Sequence, residues 1–192
     1  SLMGEFPQAP TGLIGYSMGG NFALRIAKQI PELTTLAVCP ALSPEGTMLK
    51  ISGNIIYEQY FLRKWRNLWS KKQTAFPQHY NFSDAMNLSS ITSLTDYFVK
   101  YHTEYDNTDD YFAAYDLSSG GLEGVTAKIL AAEDDPIIPA KDYANLPDPI
   151  SLDCVSRGGH GAFLENWQFE SWCDRYSCAF FRHALTNERY PL

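Results

Sequence analysis

The chain has 192 residues, 45% of them apolar, with 22 acidic against 15 basic side chains and a formal charge of −7. That length can bury a sizeable core as one domain, and the acidic balance argues against general nucleic-acid binding. No stretch approaches eighteen uninterrupted apolar residues, and no repeat, low-complexity tract or phosphate-binding glycine loop appears.

The first ten residues read as the tail of a surface helix, with Leu2, Met3 and Phe6 ending at Pro7. Thr11 to Tyr16 reads as a strand that runs into Gly15-Tyr16-Ser17-Met18-Gly19 and then into a helical stretch, Met18 to Ile30. A strand, a Gly-x-Ser-x-Gly turn and a helix in succession form the nucleophile-elbow pattern. A serine hydroxyl is a poor nucleophile, and such a turn holds it in a strained position where a base can take its proton. Gly15 and Gly19 are expected where a Cβ would strike neighbouring backbone. The helix sets Phe22, Ala23, Ile26, Ala27 and Ile30 on one face to pack on a sheet, and stops before Pro31. Thr34 to Cys39 reads as the next strand.

Residues 43–124 then form a long insertion that reads as a helical lid, between core segments 1–42 and 125–192. Near its start Tyr57, Phe61, Trp65 and Trp69 recur every four residues with Leu68 beside them, an aromatic helical stripe. Arg63, Lys64, Arg66, Lys71 and Lys72 share that stretch without an acid. Two readings stay open: a lid helix packed on its aromatic side, or an interfacial helix that settles on an anionic membrane surface. Tyr57, Phe61 and Trp65 are candidate substrate contacts. The run Asp106 to Asp110 lacks the glycine and terminal glutamate of a calcium loop, so a solvated turn is expected. His79, His102 and His183 are too scattered to form a metal site.

Val125 to Ala132 reads as a buried strand. It leads into Glu133-Asp134-Asp135-Pro136-Ile137-Ile138-Pro139, which places a carboxylate just past a strand end. Another strand, Ile150 to Val155, precedes Gly158-Gly159-His160-Gly161-Ala162-Phe163, a histidine between glycines. The chain order Ser, Asp, His is that of α/β-hydrolases and differs from those of the chymotrypsin and subtilisin types. A last helix over 167–185 carries Phe169, Trp172, Cys173, Tyr176 and Phe180 at helical spacing, a stripe suited to packing on the sheet. Cys39, Cys154, Cys173 and Cys178 form no Cys-x-x-Cys pair, so reduced thiols in a cytoplasmic protein are expected.

Taken together, Gly-Tyr-Ser-Met-Gly-Gly-Asn, Asp-Asp-Pro-Ile-Ile-Pro and Gly-Gly-His-Gly-Ala-Phe resemble the YheT-type hydrolases and their eukaryotic relatives, from about Phe6 to about Ala184. The resemblance implies an α/β fold, strands five to eight of a mostly parallel sheet with flanking helices. It assigns nucleophile, acid and base to Ser17, Asp135 and His160. In such hydrolases the acid is followed by two residues, an aliphatic residue and proline, which selects Asp135 and leaves Asp134 as a solvated turn residue. Because the elbow of such a fold follows the fifth strand of eight, the resemblance also implies a larger protein. Its own N-terminal half is then the first expected partner. Ala162 and the segment Cys39 to Thr47 depart from the family pattern.

The chemistry expected is cleavage of a carboxylic ester, a lipid ester among the candidates, through an acyl-enzyme, with the Met18 amide as one oxyanion donor and no cofactor or metal. Tyr16 and Phe163, beside the nucleophile and the base, are further candidate substrate contacts. An alcohol in place of water would make the same site an acyltransferase, and a binding protein that keeps the fold without turnover is the remaining alternative.

Overall fold

The computed structural model describes residues 2–6 and 9–186. A short helix, α1 (Leu2–Glu5), precedes strand β1 (Gly12–Tyr16); the helix end expected at Pro7 lies outside the described residues. The core continues with α2 (Met18–Gln29), β2 (Thr34–Val38), β3 (Lys128–Ala132), β4 (Ser151–Val155) and a final helix over Trp172–Thr186. Between β2 and β3 stand α3 (Pro44–Ser52), α4 (Ile55–Ala75), α5 (Ile91–His102) and α6 (Thr108–Tyr115), so the final helix is α7.

The four strands pair in the order β1-β2-β3-β4, all parallel. Parallel neighbours require crossovers, and here α2 makes the first. All five residues of β2 except Thr34 are buried, as expected for a strand covered on both faces. On one face Leu36, Val38, Leu130 and Ala132 pack with Phe163, Cys173 and Tyr176, and Trp172, Phe180 and Phe181 lie against them. Gly12 leaves room for the Phe181 ring, which a Cβ there would meet at 2.5 Å. Between β3 and β4, the Lys128 Nζ donates to Asp153 Oδ1 at 2.6 Å and the Tyr176 hydroxyl donates to the other oxygen.

Helix α2 packs on β1 and β2 through Gly20, Asn21, Ala23, Leu24 and Ala27. That corrects the expected face, because Phe22 and Ile26 point outward, 45% and 40% exposed. Small residues at 20, 23 and 27 let the helix approach the sheet closely, and the larger rings are turned away. Helix α7 begins at Trp172, not near 167: Phe169 adopts φ 62° in the turn before it, outside the helix and largely exposed.

Two compact units result, one of the residues up to Leu42 and from Leu117 onward, the other of Ser43–Asp116. The insertion therefore ends at Asp116 and not at Gly124. The Leu117 amide donates to Leu42 O at 2.8 Å, and Leu117, Leu122 and Val125 are buried, which draws 117–124 into the sheet unit. Within the second unit, Asn54 caps α4 by accepting the amides of Ile56 and Tyr57. Its aromatic stripe is only partly as expected. Leu62 and Trp69 are buried, whereas Leu68 is exposed. The segment at Asn107 caps α6, its Oδ1 accepting the Asp110 amide. Among the described residues, no helix is long and apolar enough to cross a membrane.

Candidate functional site

Every chemically interesting group of the sheet unit sits just past the C-terminal end of a strand, where open α/β sheets bind ligands. Ser17 follows β1, Cys39 follows β2, Asp134 and Asp135 follow β3, and His160 lies five residues beyond β4.

Ser17 adopts φ 55° and ψ −120°, a strained geometry for a residue with a Cβ. Its amide donates to Val38 O at 2.9 Å, and its carbonyl accepts the amides of Gly20, Asn21 and Ala41. The backbone is thereby anchored on both sides while the side chain stays clear. Space is needed at Gly15, where a Cβ would lie 2.1 Å from Gly19 O, and at Gly20, where it would meet Pro40 Cβ at 2.9 Å. Gly19, expected to be crowded, has open space instead. Buried Asn21 donates to Ala41 O at 2.8 Å and so ties α2 to the loop after β2. Met18 is the first residue of α2, and the amides of a first helical turn have no acceptor one turn back.

Asp135 Oδ1 accepts the amides of Ile137 at 2.7 Å and Ile138 at 2.9 Å, while Oδ2 receives His160 Nδ1 at 2.8 Å. Burial pushes this carboxyl up, but the hydrogen bonds from His160, Ile138 and Ile137 outweigh it and leave it below the ordinary carboxylate value. An ionised carboxylate only accepts, so Nδ1 carries a proton, and in the neutral ring Nε2 then presents its lone pair. Ser17 Oγ lies 2.9 Å from Nε2. Ser17, His160 and Asp135 thus form one continuous hydrogen-bonded chain assembled from three loops.

Asp134 is not merely solvated. Its Oδ1 accepts the amides of Gly158 and Gly159, each at 2.8 Å, and these two bonds, Gly159 foremost, draw its carboxyl below the usual value. Sequence reasoning missed this role because backbone amides carry no residue signature; the adjacent pair of aspartates was the one available sign. Cys39 was also missed. Its thiol is buried, and its sulfur, the Asp135 carboxylate and the His160 ring all offer atoms within 4.8 Å of one another. Burial first, then the charge of Asp135, push this thiol up to about 12. Each member of the trio already has a protein partner.

The expected substrate contacts divide. Tyr16 is 42% exposed beside the site, its hydroxyl 3.7 Å from Cys173 Sγ. Phe163 is 3% exposed and belongs to the core cluster, its ring filling the space a Gly158 Cβ would need, so it supports the histidine loop from below and presents no surface to a substrate. Tyr57, Phe61 and Trp65 lie half-buried on α4 in the second unit.

No protein-family model matches the chain. YheT of Escherichia coli (strain K12), provisionally described as an esterase, is 26% identical over 85% of this chain and 52% of its own length. The chain is similar in sequence to YheT. The chain spans about half the length of that relative. Among solved structures, the α/β hydrolase GrgF from Penicillium sp. sh18 aligns over 96% of this chain and 69% of its own, at TM-score 0.49 and 15% identity. The Paleococcus ferrophilus monoacylglycerol lipase aligns over 97% and 72%, at TM-score 0.47 and 15% identity.

Proposed function

We propose that this chain carries the catalytic residues of a serine esterase. The observation that supports it is the unbroken chain from Ser17 Oγ through His160 to Asp135, with bonds of 2.9 and 2.8 Å. In this reading Ser17 attacks the ester carbonyl as Nε2 takes its proton. Asp135 holds the ring in the tautomer that makes this possible and stabilises the imidazolium that forms. The Met18 amide receives the developing oxyanion. His160 then returns the proton to the leaving alcohol, and water activated by the same nitrogen releases the acid. The provisional esterase description of YheT agrees with this reading. The substrate proposed is a carboxylic ester with an apolar acyl part.

The full-length protein should react with a fluorophosphonate probe, and Ser17→Ala should not. Equal labelling of the two, or no labelling of either, would overturn the assignment of the nucleophile.

A further inference from the structure

The histidine loop is restrained at a point that the proposed chemistry does not use. Asp134 immediately precedes the acid, and Gly158 and Gly159 immediately precede the base. One carboxylate oxygen of Asp134 accepts both glycine amides at 2.8 Å. The loops that bear the acid and the base are therefore joined twice, once through their side chains and once through this backbone contact.

We propose that Asp134 is a positioning residue whose carboxylate clamps the Gly158-Gly159 backbone and thereby sets His160 within reach of Ser17 and Asp135 together. This rests on the reading of Ser17 as nucleophile. The need for a clamp follows from the loop itself. Gly159 and Gly161 stand at φ +59° and +80°, so His160 lies between two residues that restrain the backbone least. Other bonds of the loop are Phe163 N to Gly158 O and Gly161 N to Gly159 O within it, and Trp172 N to Phe163 O and Ser171 Oγ to Ala162 O toward α7. Asp134 supplies a tie from the β3 side. A Cβ at Gly158 would meet the Phe163 ring at 2.4 Å and Ala132 Cβ at 2.9 Å, so this backbone also lies directly on the end of β3. Across the same segment, Cys39 Sγ faces Gly159 O at 3.9 Å, a longer contact that adds little. Hydrogen bonds to an ionised acceptor are stronger than neutral ones, and Asp134, held below its usual range, is ionised at neutral pH. Because Asp134 is exposed, water replaces it when it is removed. The loss then falls on loop order and not on global stability.

The test compares Asp134→Ala and Asp134→Asn in the full-length protein. Asn keeps an oxygen acceptor at the same place, whereas Ala removes it. Amide hydrogen exchange at Gly158 and Gly159 should quicken by about tenfold or more in Ala and by clearly less in Asn, whose neutral oxygen still accepts but more weakly. On a chromogenic ester, kcat should fall about 10- to 100-fold in Ala with KM little changed, as misplacement of a catalytic group by about 1 Å would produce, and by less than about threefold in Asn. Unchanged exchange in Ala, wild-type kcat in Ala, or an equal loss in Asn and Ala would each overturn the clamp. The exchange measurement needs no turnover, so it decides the clamp even if Ser17→Ala shows that the nucleophile was misassigned.

Discussion

Gly15 and Gly19 are symmetrical in the Gly-x-Ser-x-Gly pattern but not in space. A Cβ at Gly15 would sit 2.1 Å from a carbonyl oxygen of the helix that follows, and backbone on both sides of that contact cannot yield cheaply. At Gly19 nothing lies within 4 Å, and the position is helical. Gly15→Ala should therefore destabilise the protein by about 3 kcal/mol or more, the upper range for overpacking. Gly19→Ala should be neutral or stabilise by up to about 1 kcal/mol, because alanine orders a helix at lower entropic cost. Urea unfolding of both variants checks the contrast, and equal destabilisation would contradict it. What was legible at this scale followed the same division. Ser17, Asp135 and His160 each sit in a distinctive local pattern, and their order along the chain adds a constraint that no single motif carries. Asp134, Asn21 and Cys39 were not legible, since their partners are backbone groups or residues remote in sequence.

The strands were readable because β2 and β3 end in apolar runs, 36–38 and 129–132, and all four appear within about three residues of their expected bounds. Helix faces were less readable. On α2 the largest apolar residues marked the wrong side, because close approach to a parallel sheet favours Gly20, Ala23 and Ala27 over Phe22 and Ile26. On α4 a four-residue spacing drifts around the helix, so one stripe cannot stay buried for its full length. Trp69 stacks on Phe82 at 4.9 Å and neighbours Trp65, Tyr97 and Phe98, whereas Leu68 is 61% exposed. Trp69→Ala should thus destabilise the second unit by about 3–5 kcal/mol, and Leu68→Ala by no more than about 0.5 kcal/mol. Denaturation followed by circular dichroism would show both. A large loss at Leu68 would mean that this surface is covered.

Across the whole molecule, the titratable groups define a pH window for stability. Asp135 and Asp153 lie below their ordinary value despite their burial, held there by His160 with the Ile138 and Ile137 amides, and by Lys128 with Tyr176. A depressed carboxyl contributes stability that is complete above its unfolded value, about 4, and is lost as pH falls through the folded one. His102 acts earlier. Burial, and then the charge of Lys72, lower it from 6.5, and its ring lies 4.6 Å from Phe82 and close to Tyr80 and Phe98. The unfolded chain therefore takes up a proton first, and stability begins to fall as pH drops below 6.5. On the alkaline side the order reverses. Cys39 in the folded protein stays protonated to about 12, so the unfolded thiol, near 9.0, releases its proton first and stability declines above that point. The urea midpoint should be highest between about 6.5 and 9.0. His102→Asn should flatten the limb between about 4 and 6.5 while leaving the steeper carboxylate fall below it. If the wild-type protein is equally stable at pH 5 and pH 7, or if the variant keeps the same slope there, the aromatic nest does not hold that histidine neutral.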